Sequence, residues 1–425
     1  MLMHSLRGET VARLLAAGWL LLAAAAGRAG DDDLVFIHHS CGRNWLNNSL
    51  HTALLAKAYI DERNDIYYGT DIQPDSGRPD SLGGTPGDHT DMCHWIRWFN
   101  DYLEHVILHD CADGTNRIIM FKSCYPNSNI ASDGTEPGDP FSSQRTLANY
   151  RAVYRHPDGP GGVYTNDGYI YHPLEDIFAS HPDILFIPVT APPRHYAPSD
   201  ATTDAEGHRA RTFNNWLKNE WLAAYNSNHP GFHNVAVFDW FDVLAYPDSD
   251  PDHPNRLRAE YGGESGDSHP NSAANATSTW FFASGPTNFL DQAWESFHNQ
   301  DTDTDGLPDW WEREHCGNLT NMSAHSDQDS DHFSDLEEYR AGTDPLDPAS
   351  LLRLTGIVAR ISRGECILHW LSVTGRTYTV SRTFSLASPD FLPAASNLPP
   401  TPPVNTWTDH ISGTDRAFYR ISTSP

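Results

Sequence analysis

Short apolar runs alternate with longer helix-like patterns between residues 31 and 300. The apolar runs have the length and the β-branched or aromatic content of strands, and the segments between them repeat apolar residues with the period of a helix. Strands separated by helices need crossover connections, which favour a parallel sheet. The candidate strands are residues 34–39, 65–69, 117–123, 184–190 and 235–239, and the candidate helices are residues 44–59, 91–108, 203–225 and 271–297.

This order of elements predicts an α/β domain over residues 30–300. Five strands with helices on both faces fit a flavodoxin-like three-layer sandwich, in which the first strand is central in a five-stranded parallel sheet. The first run, Leu34-Val35-Phe36-Ile37, is apolar at consecutive positions. Such a run is typical of a strand that is buried on both faces.

The pattern changes to short alternating stretches from Leu351 onward. These stretches, at residues 367–370, 377–381 and 417–421, are separated by turns rich in Gly, Pro and Ser. The alternation predicts a small β-sandwich over residues 351–425. The pattern leaves open whether this domain binds a glycan, associates with a cell surface or acts as a spacer.

The beginning of the chain has the pattern of a signal peptide. Arg7 and Arg13 precede an apolar run at 14–26, and small residues follow at Gly27 and Ala29. This arrangement predicts a signal peptide over residues 1–29 and an exported protein, whether periplasmic, cell-surface or extracellular. No later stretch is apolar enough to predict a membrane span.

Negative charge is concentrated in one part of the chain. The formal net charge is -28, and about a quarter of the 56 acidic residues lie between residues 301 and 350. So acidic a chain argues against a nucleic-acid partner. The concentration of carboxylates instead indicates a cation site.

Two acidic loops in this segment have the spacing of EF-hand calcium loops. Carboxylates occupy loop positions 1, 3, 5, 9 and 12, with Gly306 at position 6 of the first loop and His332 at that position of the second. The segment resembles the thrombospondin type 3-like or dockerin-like calcium repeats of exported bacterial proteins. The sequence therefore predicts two structural Ca²⁺ ions over residues 301–350 and no organic cofactor. The predicted ligands are Asp301, Asp303, Asp305, Asp309 and Glu312 in the first loop, and Asp327, Asp329, Asp331, Asp335 and Glu338 in the second.

Catalytic residue types occur at two distant places. Ser40 follows the first apolar run, and functional groups gather at the carboxyl ends of strands in open α/β sheets. Asp267 and His269 lie more than two hundred residues later. A serine hydroxyl is a poor nucleophile until a base takes its proton, and the base must be held in the correct tautomer. Ser40, His269 and Asp267 are therefore the predicted nucleophile, base and orienting acid.

The order of these blocks resembles that of the SGNH (GDSL-like) hydrolases. His38-His39-Ser40, followed by Gly42, falls where that family has Gly-Asp-Ser, and Asn127 falls near its oxyanion-hole asparagine. The block from Asp267 to Pro270 is similar to the last block of the family, in which the acid precedes the histidine by three residues. Here the spacing is two, so Glu264 stays open as the acid. The resemblance covers residues 31–300 and implies a serine esterase.

Preorganised donors must stabilise the charge that develops on the substrate carbonyl oxygen. The backbone N–H of Ser40, a glycine N–H after the second strand and the side chain of Asn127 are the predicted oxyanion-hole donors. The glycine is either Gly69 or Gly84.

Two other interpretations of the same segments remain open. Paired His38 and His39, together with the ligand-type residues of 88–94, would suit a metal, although they lack a recognised ligand spacing. Cys41 and Cys124 follow strands that are neighbours in the predicted order, so we expect a disulfide between them, with a cysteine nucleophile as the alternative. A second bridge, Cys93–Cys111, is a weaker expectation.

The sequence thus predicts an exported serine esterase that acts on a carboxylic ester, such as an acetyl group of a polysaccharide. The expected partner is a carbohydrate that carries the ester, and the C-terminal domain would provide any association with the cell surface. The alternative is a calcium-dependent surface-binding or glycan-binding protein whose SGNH-like domain has lost catalysis. The altered residues before Ser40 and the short Asp–His spacing are the reasons for that alternative.

Overall fold

The computed structural model describes residues 33–67, 82, 89–111, 114–387, 390–411 and 416–424. The predicted signal peptide and the two glycines of the predicted oxyanion hole, Gly69 and Gly84, lie outside these residues. The chain divides into two compact units between Phe297 and His298. None of the described helices is long and apolar enough to cross a membrane.

A parallel sheet forms the centre of the first unit. Its regular strands, within the described residues, are β1 (Asp33–His38), β2 (Arg63–Tyr67), β3 (Asn116–Lys122) and, after a small hairpin of β4 (Tyr164–Asn166) and β5 (Tyr169–Tyr171), β6 (Leu185–Val189). The order is β2-β1-β3-β6, and all three pairings are parallel. The sequence prediction of a parallel sheet with the first strand inside it is confirmed.

The fifth predicted strand pairs with β6 only through isolated bridges and does not form a continuous strand ladder. Residues 235–239 lie beside β6 through two parallel bridges, Phe186–Val235 and Val189–Phe238. Between these bridges the strand β6 has Pro188, which accepts from the Phe238 N–H at 3.0 Å. Proline has no backbone N–H to donate. The hydrogen bond from position 188 that would make the two bridges one continuous ladder therefore cannot form. The regular sheet of the described residues therefore has four strands rather than the predicted five.

Apolar cores lie on both faces of this sheet, as the consecutive apolar positions of β1 indicated. Val35 and Ile37 pack into one core and Leu34 and Phe36 into the other, and all four are fully buried. Alternate residues of a strand point to opposite faces, so only a strand that is covered on both sides buries every position. Helices supply the remainder of each core. The α-helices of this unit are Cys41–Trp45, His51–Leu54, Met92–Asp101, Leu147–Tyr154, Leu174–Ala179, Asp204–Asn215, Leu222–Asn228, Trp240–Leu244, Ser272–Thr279 and Phe289–His298, and π-helical turns are Leu46–Leu50, Leu103–Ile107, Trp216–Trp221 and Trp280–Ser284.

The second unit begins with the two acidic loops and ends in antiparallel sheets. Helix Asp309–Cys316 follows the first loop and helix Asp335–Ala341 follows the second. Among the described residues, the strands then form two three-stranded sheets in the orders β10-β9-β12 and β11-β8-β7. Leu368 and Trp370 of one sheet share a core with Tyr378 and Val380 of the other. The strands are β7 (Leu354–Arg360), β8 (Glu365–Leu371), β9 (Thr377–Thr383), β10 (Leu392–Leu398), β11 (Val404–His410) and β12 (Phe418–Ser424).

Candidate active site

Ser40 lies in a strained backbone conformation at the carboxyl end of β1. Its φ is 35° and its ψ is -82°, a region that residues with a Cβ adopt only when the surrounding structure holds them there. The chain turns at once into helix Cys41–Trp45, and a Cβ at Gly42 would meet the Cβ of His38 at 2.6 Å. Only glycine fits that position without a shift. The strand end and this turn together present the Ser40 hydroxyl at the edge of the sheet.

The structure brings the three predicted catalytic residues into one hydrogen-bonded chain. Nδ1 of His269 lies 2.6 Å from Oδ1 of Asp267, and Nε2 of His269 is in hydrogen-bond contact with Oγ of Ser40. With Nδ1 donating to the carboxylate, Nε2 is the nitrogen that accepts the serine hydroxyl. Serine, histidine and aspartate thus have the geometry of a nucleophile, a base and an orienting acid.

Asp267, and not Glu264, is the carboxylate that contacts the imidazole. The carboxylate of Glu264 accepts from the hydroxyl of Tyr196 at 3.2 Å. Oδ1 of Asp267 also accepts the backbone N–H of His269 at 3.1 Å, as in an Asx-turn. This turn brings the carboxylate of Asp267 into contact with the His269 ring, although only one residue lies between the two. The spacing that left two candidates open in the sequence is therefore accommodated by local backbone geometry.

The protonation state of Asp267 suits its position. Burial raises the pKa of this carboxyl, but the hydrogen bonds from His269 outweigh burial and leave the pKa below its ordinary value. Asp267 is therefore ionised at neutral pH and can stabilise the imidazolium that forms when His269 takes a proton.

Tyr125 and Arg194 line the other side of His269. The ring of Tyr125 meets the His269 ring edge-on at 5.1 Å between centroids. The guanidinium of Arg194 lies over Tyr125, 5.4 Å from its centroid. The sequence analysis did not single out either residue. Their positions just after β3 and β6, at the functional edge of a parallel sheet, are the signal that would have indicated them.

Cys41 and Cys124 are adjacent free thiols, so the predicted disulfide is not formed. Their sulfur atoms are 3.4 Å apart, whereas a disulfide bond is about 2.05 Å long. The neighbouring strands bring the two thiols together as expected, but the sulfurs make a hydrogen bond instead of a covalent one. Burial raises the pKa of Cys41. Cys93 is a free thiol as well, so the weaker predicted pairing with Cys111 is not formed.

Asn127 is buried behind the site and already has partners. Its amide nitrogen lies 2.7 Å from a carboxylate oxygen of Asp91 and 3.4 Å from the carbonyl of Cys124. Its amide oxygen accepts from the backbone N–H of Met92 and from the hydroxyl of Tyr150. In this conformation Asn127 joins the turn after β3 to the start of helix Met92–Asp101. Its predicted oxyanion-hole role, like that of the Ser40 N–H, stays a prediction.

The histidines near Ser40 serve different purposes. His38 is fully buried in the sheet, and its Nε2 bonds to Asp65 at 3.1 Å. His39 is half-buried, and its Nδ1 lies 3.5 Å from the hydroxyl of Thr90. Among the described residues, groups of three or more possible metal ligands occur only in the two acidic loops. The geometry of the histidines therefore does not favour the metal interpretation of this segment.

Each acidic loop gathers its first three aspartates in one place. Within each loop, ligand atoms from the first three aspartates lie within 4.8 Å of one another. Oxygen ligands lie about 2.3–2.6 Å from Ca²⁺, so opposite ligands of one ion are about 5 Å apart. Asp301 accepts the N–H of Gly306 at 2.9 Å, and Asp327 accepts the N–H of His332 at 3.0 Å. The two loops therefore repeat the same turn.

The glutamate that ends each loop is buried with at least one carboxylate oxygen unpartnered. Glu312 is fully buried and neither of its carboxylate oxygens has a hydrogen-bond partner in the described structure, and Oε2 of Glu338 is likewise buried and unpartnered. Burial and the nearby aspartates raise the pKa of each glutamate to about 8. Isolated buried carboxylates are costly unless a cation or a donor compensates them. This donor set fits Ca²⁺.

Asp309 and Asp335, the predicted ligands at position 9, have other contacts. Asp309 accepts from the backbone N–H of Thr302 at 2.7 Å and from Arg313 at 3.3 Å. Asp335 accepts from the hydroxyl of Ser326 at 2.6 Å. Each of these carboxylates, at the first residue of the helix, thus bonds to a residue at or just before the start of its loop. Position 9 of an EF-hand often reaches the ion through water, so these contacts are compatible with an indirect role.

No protein-family model matches the sequence, and no curated protein matches it. Solved structures that are similar to it include the following two. One, from Bacteroides fragilis NCTC 9343 and provisionally described as an acylhydrolase, is 14% identical over 60% of this chain and 88% of its own, with a TM-score of 0.30. The other, from Streptococcus pneumoniae and provisionally described as a platelet activating factor, is 10% identical over 68% of this chain and 99% of its own, with a TM-score of 0.31. Likenesses this weak carry no argument about the function of this chain.

Proposed function

We propose that the first unit is a serine esterase of SGNH type that hydrolyses a carboxylic ester. The single observation that carries the proposal is the hydrogen-bonded chain from Ser40 through His269 to Asp267. Ser40 and the pair of Asp267 and His269, more than two hundred positions apart, converge at the carboxyl edge of a parallel sheet, in the order that acyl transfer requires. The strained backbone of Ser40 is typical of a catalytic position.

Each residue has one task in the proposed reaction. Nε2 of His269 takes the hydroxyl proton while Oγ of Ser40 bonds to the ester carbonyl carbon. Collapse of the tetrahedral intermediate breaks the bond to the alcohol, which leaves with that proton. Water then attacks the acyl-serine with His269 again as base, and the acid is released. The negative charge of Asp267 stabilises the imidazolium in both steps.

The proposed substrate is an acetyl ester on a carbohydrate, and the proposed setting is outside the cytoplasm. A groove of about 330 Å³ begins at Asn127, next to the turn that holds Cys124 against Ser40, and polar side chains dominate its walls. A polar groove suits the hydroxyl groups of a sugar better than a long acyl chain. The predicted signal peptide and the modular build support export. The groove is lined by Asp91, Ser132, Ser142, Ser143, Gln144, Arg145 and Thr146, among others.

The competing function is a binding protein without catalysis on the same scaffold. The observation against it is that His269 retains both hydrogen bonds that a catalytic base needs. Hydrolysis of a chromogenic acetate separates the two functions. We expect Ser40→Ala and His269→Ala to lower kcat/KM by similar large factors, on the order of 10⁴ or more, because each residue depends on the other.

Circular dichroism and thermal melting of both variants provide the control for folding. Ser227→Ala is a matched control, because this exposed serine lies on helix Leu222–Asn228 and its hydroxyl donates to the carbonyl of Ala223 in the same helix. Turnover near the wild-type rate in Ser40→Ala would refute the serine-esterase proposal.

We also propose that the two acidic loops each bind one structural Ca²⁺. The unpartnered carboxylate oxygens of the buried glutamates at the loop ends support this proposal. The ligands of the first ion would be Asp301, Asp303, Asp305 and Glu312, and those of the second Asp327, Asp329, Asp331 and Glu338. Bound Ca²⁺ would compensate carboxylates that otherwise repel one another.

A further inference from the structure

Arg194 is held beside the proposed active site with part of its guanidinium uncommitted. Its Nε donates to Asp200 at 2.8 Å, and its plane lies over the ring of Tyr125. Within the described part of the chain, neither Nη atom has a hydrogen-bond partner, and the side chain is 21% exposed. The guanidinium is therefore fixed on one side and open on the other.

The position of Arg194 is close to the reacting atoms. The ring of Tyr125 contacts both groups, because its centroid lies 5.4 Å from Cζ of Arg194 and 5.1 Å from the centroid of the His269 ring. The two Nη atoms belong to a guanidinium that shares the Tyr125 ring with the proposed base. Such a fork of parallel N–H donors matches the two oxygens of a carboxylate.

Arg194 shares its carboxylate partner with a second guanidinium. Two guanidinium groups, those of Arg194 and Arg256, share the single buried carboxylate of Asp200, at 2.8 and 3.9 Å. Arg256 is buried and donates to the carbonyls of His195 and Thr202. Arg194 is the more exposed of the two guanidinium groups. In a chain with a net charge of -28, an anionic substrate needs such a local cation to approach.

We propose that Arg194 is a specificity residue that binds a carboxylate on the substrate, so that the preferred ester is carried by an acidic sugar. This inference rests on the proposed esterase function. Arg194 does not touch the reacting atoms and acts by holding the substrate. Its loss should therefore affect anionic substrates and spare neutral ones.

The test compares two esters of the same shape, 4-acetoxybenzoate and 4-acetoxybenzamide, which differ in the charge of one group. We expect the wild-type protein to prefer the carboxylate, and Arg194→Gln to lower kcat/KM for it by about tenfold or more, mainly through KM. The amide should change by less than about twofold. The preference of the wild type should weaken as salt is added, because salt screens an exposed ion pair.

Two further variants serve as controls for the effect of Arg194→Gln. Arg209→Gln is a matched control, because Arg209 is similarly exposed and pairs with Asp133 but contacts none of Ser40, His269 and Tyr125. Arg194→Lys retains the charge without the planar fork and should recover only part of the preference. Thermal melting checks that each variant is folded.

The outcomes distinguish this inference from the proposed function. Equal use of both esters by the wild type, or an equal loss for both in Arg194→Gln, overturns the role of Arg194, while Ser40→Ala still tests the esterase. Failure of the wild-type protein to hydrolyse either ester overturns the esterase function and this inference together.

Discussion

At the residue scale, the orientation of the imidazole depends on one carboxylate. Asp267 contacts Nδ1 of His269, and Glu264 is occupied by Tyr196. We expect Asp267→Asn to lower kcat by a large factor, on the order of 10³–10⁴, because an amide can hold the wrong tautomer of the ring. Glu264→Gln should retain nearly full activity. The comparison of the two kcat values with a chromogenic acetate checks this prediction, and a larger loss in Glu264→Gln would contradict it.

His38 should make the stability of the first unit depend on pH. Burial lowers the pKa of this histidine below its ordinary value of 6.5. In the unfolded chain His38 takes up a proton near pH 6.5, whereas in the folded chain it stays neutral to a lower pH. Its contribution is therefore fully present above about pH 6.5 and is lost as the pH falls from there toward the folded pKa, at up to about 1.4 kcal/mol per pH unit.

Denaturant unfolding at several pH values between 7.5 and 5 measures this dependence. We expect the loss of unfolding free energy on acidification to be smaller in His38→Gln than in the wild type. His208→Gln, which removes an exposed histidine, should retain the wild-type dependence. Identical slopes in His38→Gln and the wild type would show that His38 does not contribute.

At the element scale, the acidic loops bury carboxylate oxygens that no donor of the described protein compensates. Asp301 and Asp327 make the same turn by accepting backbone N–H groups, and each turn ends in a buried glutamate. The left-handed backbone at position 6 is supplied by Gly306 in one loop and by His332, with φ 81°, in the other. Since a residue with a Cβ is strained there, we expect the second loop to bind Ca²⁺ more weakly.

Substitution of a loop glutamate should change stability in opposite directions with and without Ca²⁺. We expect Glu312→Gln to weaken binding at the first loop by more than tenfold, because Ca²⁺ loses its bidentate ligand. In ion-free protein the same substitution should raise the melting temperature, because it removes a buried carboxylate without a partner. Glu314→Gln, an exposed position on the same helix, is the matched control. Calorimetry measures Ca²⁺ binding by each variant. Thermal melting with Ca²⁺ and with a chelator measures the stability of each variant in the two conditions.

At the scale of the whole molecule, the proposed catalytic residues and the proposed metal ligands belong to different compact units. The residues of the proposed triad precede Phe297, and both acidic loops follow His298. We expect a chelator to lower the melting temperature of the second unit by several degrees through mass action. Hydrolysis of a small acetate ester by the full chain should stay unchanged. Loss of hydrolysis on chelation, restored by Ca²⁺, would contradict this independence.

The features that the sequence by itself determined are those that depend on neighbouring residues. The run from Leu34 to Ile37 predicted a doubly covered strand, because consecutive apolar side chains point to opposite faces. The twelve-residue spacing predicted the acidic loops, because ligands and turn lie within one short segment. The approximate site followed from block order, since parallel strands end at the same edge of a sheet.

Only the tertiary structure decided the features that depend on distances between remote residues. The choice of Asp267 over Glu264, the free thiols of Cys41 and Cys124, and the engaged amide of Asn127 all follow from contacts that spacing cannot specify. The effect of Pro188 on the sheet depends on which strand lies beside it. Arg194 could be identified as a candidate only from the position of Tyr125 against His269. Hydrogen bonds and ion pairs act over a few ångströms, so their partners are settled by packing rather than by order along the chain.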